Sequence, residues 1–223
     1  MTSVVRPAVL FDLDGTLIDS IELILNSARY SFDKLEREWI SDEVWLAGIG
    51  TPLAAMFSRH ARSPGDVDRF IAAYREYQVE HHDRLVRCYD EVADTVDELR
   101  RRGHVLAIVT SKTDALASRG LAHVGIRDRF ETIVGCDATS RHKPDPEPVL
   151  LALNRLGVAA MEAVFVGDSV HDMEAGNAAG VTTIAALWGP FTREQLAPSK
   201  PSHYLVSVSG LPSLIQRLAP ARD

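Results

Sequence analysis

The stretch that decides the fold lies near the N-terminus and reads Val9-Leu10-Phe11-Asp12-Leu13-Asp14-Gly15-Thr16-Leu17. The apolar run from Ala8 to Phe11 shows no polar alternation, which is typical of a strand buried on both faces in a parallel sheet. This run ends directly in two carboxylates, Asp12 and Asp14, and Gly15 permits the turn that follows. The sequence therefore predicts a buried strand with a pair of acidic side chains at its carboxyl end.

The two carboxylates of this pair need a compensating partner. In an extended chain Asp12 and Asp14 point the same way, because side chains alternate with a period of two. Two such charges about 4 Å apart repel by roughly 4 kcal/mol at an effective dielectric constant near 20. The pair therefore indicates a metal site, an acid/base pair or both, and an acidic turn without function is the alternative.

Composition and charge narrow the classes of function. The chain has 223 residues, 46% of them hydrophobic, which is enough for a sizeable core in one or two domains. The net charge of −7 argues against a nucleic-acid surface or an anionic-membrane surface. No apolar stretch has the length of a membrane span and no signal peptide is recognisable, so we expect a cytoplasmic protein. Cys88 and Cys136 lie far apart, which favours inert thiols over a disulfide.

A long helical segment follows the first strand. An N-cap at Asp19-Ser20 opens an amphipathic pattern that continues to Phe32. Further helices are predicted near 42–47, 53–61 and 66–85, with turn sequences rich in Gly and Pro between them. No strand is predicted between the start of the first of these helices and about Leu85. We therefore expect an inserted all-helical domain over residues 17–87.

Strands and helices alternate in the remainder of the chain. Buried strands are predicted at 105–109, 132–134, 163–166 and 182–185, with a short strand in the tail at 204–206. Helices are predicted between them at 91–102, 114–124 and 148–157, then from Ser169 to Ala179, and finally at 211–218. This alternation indicates a doubly wound α/β domain with a parallel sheet, formed by residues 1–16 and 88–223.

Ligands of doubly wound sheets bind beyond the carboxyl ends of the strands. In this sequence the strand ends and the loops that follow them carry polar side chains, namely Asp12, Asp14, Thr110, Ser111, Lys143, Asp168 and Asp172. Four carboxylates in one cleft require a cation. Oxygen ligands without a His or Cys cluster favour Mg²⁺. The sequence therefore predicts a Mg²⁺ site beside an ammonium group and a hydroxyl group.

The ordered set of motifs resembles the haloacid dehalogenase superfamily of phosphohydrolases. The set consists of Asp12-Leu-Asp14-Gly-Thr-Leu, Thr110, Lys143-Pro and Gly167-Asp168-x-x-x-Asp172. The resemblance implies a Rossmannoid α/β core and makes the helical insertion a C1 cap, which is a lid over the site. It also implies a small phosphorylated substrate. The oligomeric state stays open between monomer and dimer.

The resemblance implies a role for each motif residue. Asp12 would be the nucleophile that becomes an aspartyl-phosphate, and Asp14 would act first as general acid and then as base. Thr110 would bind a phosphoryl oxygen, and Lys143 would neutralise both the nucleophile and the phosphoryl group. The implied metal ligands are Asp12, the backbone carbonyl of Asp14, Asp168 and, through a bound water, Asp172. The predicted substrate-binding residues are Thr110, Ser111, Lys143 and, in the cap, Gly50 and Thr51.

The cap has to determine which phosphorylated substrate the protein accepts. Gly50 and Thr51 lie where related caps place a specificity loop, and a plain turn between helices is the alternative. The stretch Tyr74-Arg75-Glu76-Tyr77 with His81-His82-Asp83 resembles the cap of bacterial inorganic pyrophosphatases in the phosphoglycolate-phosphatase-like branch. For His81 and His82 we favour a solvated helix face over a metal site, because no third ligand is evident.

Three hypotheses for the function follow. The first is a Mg²⁺-dependent phosphatase that acts on 2-phosphoglycolate or on pyrophosphate. The second is an isomerase like β-phosphoglucomutase, which the Gly167-Asp168 form of the last motif disfavours. The third is a non-catalytic regulatory or binding protein, which predicts damaged motifs, and none is damaged. Carbon–halogen cleavage is disfavoured, because a sequence that resembles the dehalogenases would have no carboxylate two residues after the nucleophile, where this chain has Asp14. We therefore predict the phosphatase.

Overall fold

The structure, a computed structural model, describes residues 6–218, so the parts of the predicted α/β domain at 1–5 and 219–223 lie outside the described residues. The strands within this range are β1 (Ala8–Phe11), β2 (Ile18–Asp19), β3 (Arg87–Cys88), β4 (Leu106–Val109), β5 (Thr132–Val134), β6 (Ala163–Gly167), β7 (Thr182–Ala186) and β8 (His203–Leu205). The α-helices are α1 (Ile21–Lys34), α2 (Asp42–Leu46), α3 (Leu53–Ser58), α4 (Asp66–Leu85), α5 (Val92–Arg101), α6 (Asp114–His123), α7 (Glu147–Leu156), α8 (Val170–Ala179), α9 (Arg193–Leu196) and α10 (Leu211–Leu218).

The main sheet has six parallel strands in the order β5-β4-β1-β6-β7-β8. β1 lies between β4 and β6, and all four of its residues are buried. From β1 the chain winds outward to β5 on one side, and later from β6 to β8 on the other. The order therefore reverses between β1 and β6, and a crevice opens beyond the carboxyl ends of these two strands. The predicted doubly wound α/β fold is confirmed.

Helices cover both faces of this sheet. One face packs against α5, α6 and α10, and the other packs against α7 and α8. In β1, Val9 and Phe11 contribute to the first of these apolar clusters, whereas Ala8 and Leu10 contribute to the second. Since successive side chains of a strand alternate between the two faces, a strand covered on both sides has to be apolar throughout.

The helices α1 to α4 bury an apolar cluster of their own, separate from the clusters of the sheet. Its centre is aromatic: the ring of Phe57 stacks on Phe70 at a centroid distance of 4.8 Å, and Phe32 meets Trp45 edge-on at 5.9 Å. The helices predicted between Asp19 and Leu85 are present. However, α3 ends at Ser58 rather than near residue 61, because the chain turns there and the backbone N–H of Arg62 donates to Asp66.

A two-stranded antiparallel ribbon joins these helices to the sheet. β2 pairs with β3 through Ile18 with Cys88 and Asp19 with Arg87. The prediction of an all-helical domain over residues 17–87 is therefore wrong at its two ends, whereas no strand lies between Ile21 and Leu85. A two-residue strand has no detectable period and is defined by its partner, which here lies at the far end of the helical segment. The tail strand β8 begins one residue before the predicted 204–206.

Within the described residues, no helix combines the length and the apolar character that crossing a membrane requires.

Candidate active site

Three acidic side chains meet where the strand order reverses. β1 leads directly into Asp12, and β6 ends one residue before Asp168. Asp172 lies in the first turn of α8, whose N-cap is Ser169. All three are buried, and each offers a carboxylate oxygen within 4.8 Å of the others. This cluster, which we call the carboxylate cluster, is the only group of this kind with three members that the described part of the chain contains.

Lys143 is the cation of the carboxylate cluster. Its Nζ donates to Asp12 Oδ1 at 2.8 Å, to Asp172 Oδ1 at 2.6 Å and to the carbonyl of Val109 at 3.3 Å. The side chain comes from the loop before α7 and is buried. Burial lowers the pKa of Lys143, but Asp12 and Asp172 raise it by more, so the ammonium stays charged.

Two carboxylates of the cluster, those of Asp12 and Asp168, are held in a setting that disfavours their charged form. Burial and, to a smaller extent, the charge of Asp172 raise the pKa of Asp12 to about 7 against the opposing effect of Lys143. Burial likewise raises the pKa of Asp168 well above its ordinary value, and Asp12 and Asp172 add to this shift. Three carboxylates beside one ammonium leave two formal negative charges, which a divalent cation would balance.

Asp168 has a free oxygen that suits such a cation. Its Oδ1 accepts a hydrogen bond from Thr16 Oγ1 at 2.8 Å. Its Oδ2 is buried, and no donor among residues 6–218 reaches it. A buried carboxylate oxygen without a partner is costly, so this atom fits a metal ligand.

Asp172 differs from Asp168 because both of its oxygens already accept hydrogen bonds. Oδ1 is bound by Lys143, and Oδ2 accepts from the backbone N–H of Ser169 at 3.0 Å and from its hydroxyl at 2.6 Å. In return, the backbone N–H of Asp172 donates to Ser169 Oγ. This reciprocal capping box holds the carboxylate in place at the start of α8.

Asp14 has partners that the sequence did not reveal. One of its oxygens, Oδ1, accepts from the hydroxyl of Ser20 and from the ammonium of Lys112. Ser20 occupies the predicted N-cap position of α1, but its side chain turns to Asp14 and does not cap the helix. Lys112 lies two residues after the motif residue Thr110. This short spacing is the one feature of the sequence that could have indicated Lys112 as a site residue.

The remaining predicted residues lie around the same opening. The backbone N–H of Lys112 donates to Thr110 Oγ1 at 3.2 Å. Ser111 Oγ donates to the carbonyl of Gly50 at 2.5 Å, so a strand end of the sheet contacts the loop between α2 and α3. In that loop Thr51 Oγ1 donates to the carbonyl of Gly48 at 2.7 Å.

A cavity of about 230 Å³ separates the carboxyl ends of the strands from the helical segment. Its polar lining comes from three places. The strand ends and the residues after them contribute Asp12, Asp14, Thr110, Ser111, Lys112 and Thr113, the loop between α2 and α3 contributes Gly50 and Thr51, and α4 contributes Tyr74, Arg75 and Gln78. Small-molecule sites usually measure about 300–1,000 Å³, so this cavity suits a ligand smaller than a nucleotide. Lys143, Asp168 and Asp172 do not line it.

The histidine pair of α4 does not join this site. His82 is buried, its Nδ1 lies 2.7 Å from Asp83 Oδ1, and its ring lies 5.5 Å from that of His123 in α6. The interpretation of His82 as part of a solvated helix face is therefore wrong, because α4 packs this side chain against α6. His81 packs on Tyr77, with 4.1 Å between the ring centroids.

The doubly wound sheet has buried carboxylates at the point where its strand order reverses, and helices inserted after the first strand cover them. This arrangement is typical of hydrolases with a Rossmann-like core and an inserted cap. Residues 9–186 match the haloacid dehalogenase-like hydrolase family. The chain is 41% identical over 204 residues to Pyrophosphatase PpaX of Bacillus velezensis, an alignment that covers 92% of this chain and 94% of that protein. The chain therefore belongs to the haloacid dehalogenase-like hydrolase family, as the motifs predict.

Solved structures share the whole fold. A predicted phosphatase from Clostridium acetobutylicum superposes with a TM-score of 0.85 at 25% identity, covering 96% of this chain and 99% of that one. A predicted phosphoglycolate phosphatase from Haemophilus somnus superposes with a TM-score of 0.83 at 23% identity, with coverages of 96% and 99%. These matches extend over both the sheet and the inserted helices.

Proposed function

We propose that this enzyme is a Mg²⁺-dependent phosphatase whose substrate is inorganic pyrophosphate, and that it acts through an aspartyl-phosphate on Asp12. The observation that carries the proposal is the setting of Asp12, which lines the cavity while Lys143 holds its Oδ1. The name of the relative from Bacillus velezensis, a pyrophosphatase 41% identical to this chain, favours pyrophosphate over 2-phosphoglycolate. The small volume of the cavity favours either of these over a nucleotide.

In the first half of the reaction a carboxylate oxygen of Asp12 attacks phosphorus. Its Oδ2 accepts no hydrogen bond from residues 6–218, so it is available for the attack, and the Lys143 ammonium offsets the charge of the incoming phosphoryl group. The new oxygen–phosphorus bond forms as the bond to the leaving oxygen breaks. Asp14 donates its proton to that leaving oxygen, and Thr110 donates to a phosphoryl oxygen.

In the second half, water hydrolyses the aspartyl-phosphate. Asp14, now a carboxylate, takes a proton from the water that attacks phosphorus, and inorganic phosphate leaves as the Asp12 carboxylate is restored. Ser20 and Lys112 hold one oxygen of Asp14 in both halves, which keeps its carboxyl group facing the cavity. Ser111, Gly50 and Thr51 complete the proposed substrate contacts from the strand end and the loop between α2 and α3.

We propose that the Mg²⁺ ligands are Asp12, Asp168 and the backbone carbonyl of Asp14, with Asp172 acting through a bound water. The free Asp168 Oδ2 and the two uncompensated negative charges of the carboxylate cluster support this assignment. Asp172 is assigned the outer position because its oxygens already accept from Lys143 and Ser169. When bound, Mg²⁺ supplies positive charge that stabilises the transferring phosphoryl group.

The experiment that tests the proposal measures phosphate release with Mg²⁺ and with EDTA from pyrophosphate, 2-phosphoglycolate and glucose 6-phosphate. We expect the highest kcat/KM with pyrophosphate and no release with EDTA. Asp12→Asn removes the nucleophile and should lower kcat at least about 1,000-fold, while the exposed substitution Asp33→Asn should leave kcat unchanged.

Each other outcome of this experiment has a definite meaning. A higher kcat/KM with 2-phosphoglycolate would reassign the substrate. Interconversion of hexose phosphates without release of phosphate would revive the isomerase hypothesis. Full activity of Asp12→Asn would exclude the aspartyl-phosphate.

A further inference from the structure

One face of α4 presents an unbroken stripe to the cavity. Ile71, Tyr74, Arg75 and Gln78 all line it, and their spacing of three, four and seven residues places them on one side of a helix. Such a stripe is usually apolar. Here three of the four side chains carry hydrogen-bond donors, and they lie across the cavity from the strand ends.

None of these donors has a partner in the described part of the chain. No hydrogen bond involves the phenol of Tyr74, the guanidinium of Arg75 or the amide of Gln78, whereas each of the motif carboxylates accepts at least one. Tyr74 and Gln78 are only 6% and 7% exposed. The side chains are mostly buried, but their unpaired polar atoms open onto the cavity, so their position points to a ligand that forms hydrogen bonds with them.

The charge of this stripe indicates what kind of ligand it is. Arg75 brings a permanent positive charge, and no carboxylate of α4 lines the cavity. The neighbouring lining of the cap includes apolar side chains at Ile24, Ile49, Leu53 and Met56. A fork of N–H donors with a phenol and an amide matches a group with several anionic oxygens. A neutral group would gain less from Arg75, because the guanidinium is exposed and its charge-assisted hydrogen bonds need an anionic acceptor.

The position of the stripe relative to the reaction follows from the two sides of the cavity. Asp12 and Asp14 line it at the strand ends, and Tyr74, Arg75 and Gln78 line it from the inserted helices. Asp14 is the proposed acid for the leaving oxygen. Since the transferred phosphoryl group has to lie against Asp12 at the strand ends, the stripe on the opposite side of the cavity faces the remainder of the substrate, which is the leaving group.

We propose that Tyr74, Arg75 and Gln78 form the subsite for the leaving group, and that this subsite takes the second phosphate of pyrophosphate. The inference rests on the proposed function and deepens it by assigning the residues that determine specificity. Since the stripe contributes binding to the leaving group alone, its loss should affect anionic leaving groups and spare neutral ones.

The test compares two substrates that share the transferred phosphoryl group. In Arg75→Met we expect kcat/KM for pyrophosphate to fall at least about tenfold, with less than about a threefold change for p-nitrophenyl phosphate. Tyr74→Phe, which keeps the ring and removes only the hydroxyl, should show the same selective loss. Arg84→Met is the matched control, because it removes an exposed arginine of the same helix that does not line the cavity.

A binding measurement makes the test independent of turnover. In calorimetry with Mg²⁺, Arg75→Met should weaken binding of imidodiphosphate at least about tenfold and leave binding of orthophosphate near that of the parent. Equal losses for both substrates, or unchanged binding of imidodiphosphate, would overturn the subsite. A selective loss with 2-phosphoglycolate in place of pyrophosphate would also overturn it, by making the ligand a carboxylate. Failure of the proposed function is distinguishable, because then the parent itself releases no phosphate from pyrophosphate, or releases it less efficiently than from 2-phosphoglycolate.

Discussion

Gly15 shows how the carboxylate cluster dictates a single residue. Its φ is +82°, and a Cβ at this position would lie 2.4 Å from Asp168 Oδ2, the oxygen that has no donor. Any side chain would therefore move the carboxylate that is proposed to bind Mg²⁺. Gly65 is a suitable comparison, since its φ is +84° but no atom lies within 4 Å of the Cβ it would gain.

We predict that Gly15→Ala and Gly65→Ala have different consequences despite similar backbone strain. Each should lose about 1 kcal/mol of stability, because both place a side chain at positive φ. Only Gly15→Ala should also require at least about tenfold more Mg²⁺ for half-maximal activity. Thermal unfolding and a Mg²⁺ titration of activity measure the two effects. An unchanged Mg²⁺ requirement in Gly15→Ala would contradict the role of Asp168.

The sequence predicts individual site residues where a motif carries them, but it does not predict their partners. Asp12, Lys143 and Asp168 follow from motif order, and the crevice between β1 and β6 brings them together. Lys112 and Ser20 bind Asp14 through contacts that depend on how the chain returns to the first strand. No local pattern encodes the contact of Lys112, which is 98 residues from Asp14, and Ser20, only six residues away, has the sequence signal of an N-cap instead.

At the scale of elements, the start of α4 is held by one buried carboxylate. Asp66 accepts from the backbone N–H of Arg62 at 2.9 Å, from the hydroxyl of Ser63 at 2.7 Å and from the guanidinium of Arg37 at 3.2 Å. These bonds fix the loop before α4 to the helix that carries the proposed leaving-group subsite. Asp68 lies two residues further along the same helix, is exposed, and makes none of these contacts.

We predict that Asp66→Asn lowers Tm by a few degrees at pH 7 and that Asp68→Asn changes it much less. The backbone N–H of Arg62 and the hydroxyl of Ser63 hold the pKa of Asp66 well below its usual range. Its stabilisation is therefore complete above the ordinary Asp pKa near 3.9 and is lost as the pH falls below that value. The Tm difference between parent and Asp66→Asn should accordingly be smaller at pH 3 than at pH 7. Equal differences at both pH values would contradict this linkage.

The elements themselves were predictable to different degrees. The core strands and the long helix α4 have strong local patterns, and their positions agree with the prediction to within one or two residues. The ribbon of β2 and β3 was missed because each strand has two residues and is defined by its distant partner. The burial of His82 was missed for a related reason, since α6 covers that face of α4 only in the folded chain.

At the scale of the whole molecule, the sheet and the inserted helices meet around the cavity. Their apolar clusters are separate, and the chain passes between them at the β2–β3 ribbon. Next to the cavity, Ser111 binds the carbonyl of Gly50. A Cβ on Gly50 would lie 2.9 Å from Ser169 Oγ, which shows how closely this loop approaches the N-cap of α8. Asp12 is only 6% exposed under this cover.

We predict that the cap formed by α1 to α4 moves away from the sheet to admit substrate and product, and that the β2–β3 ribbon is the hinge. Small-angle scattering should give a smaller radius of gyration with Mg²⁺ and a phosphate analogue than without them. Gly50→Ala should keep the larger radius in both conditions, because its Cβ would meet Ser169 and its φ of +100° adds strain. Gly65→Ala, with similar strain in open space, should close like the parent. If the parent has the same radius of gyration in both conditions, the cap does not close on this substrate, and access must come from motion of the loop around Gly50 alone.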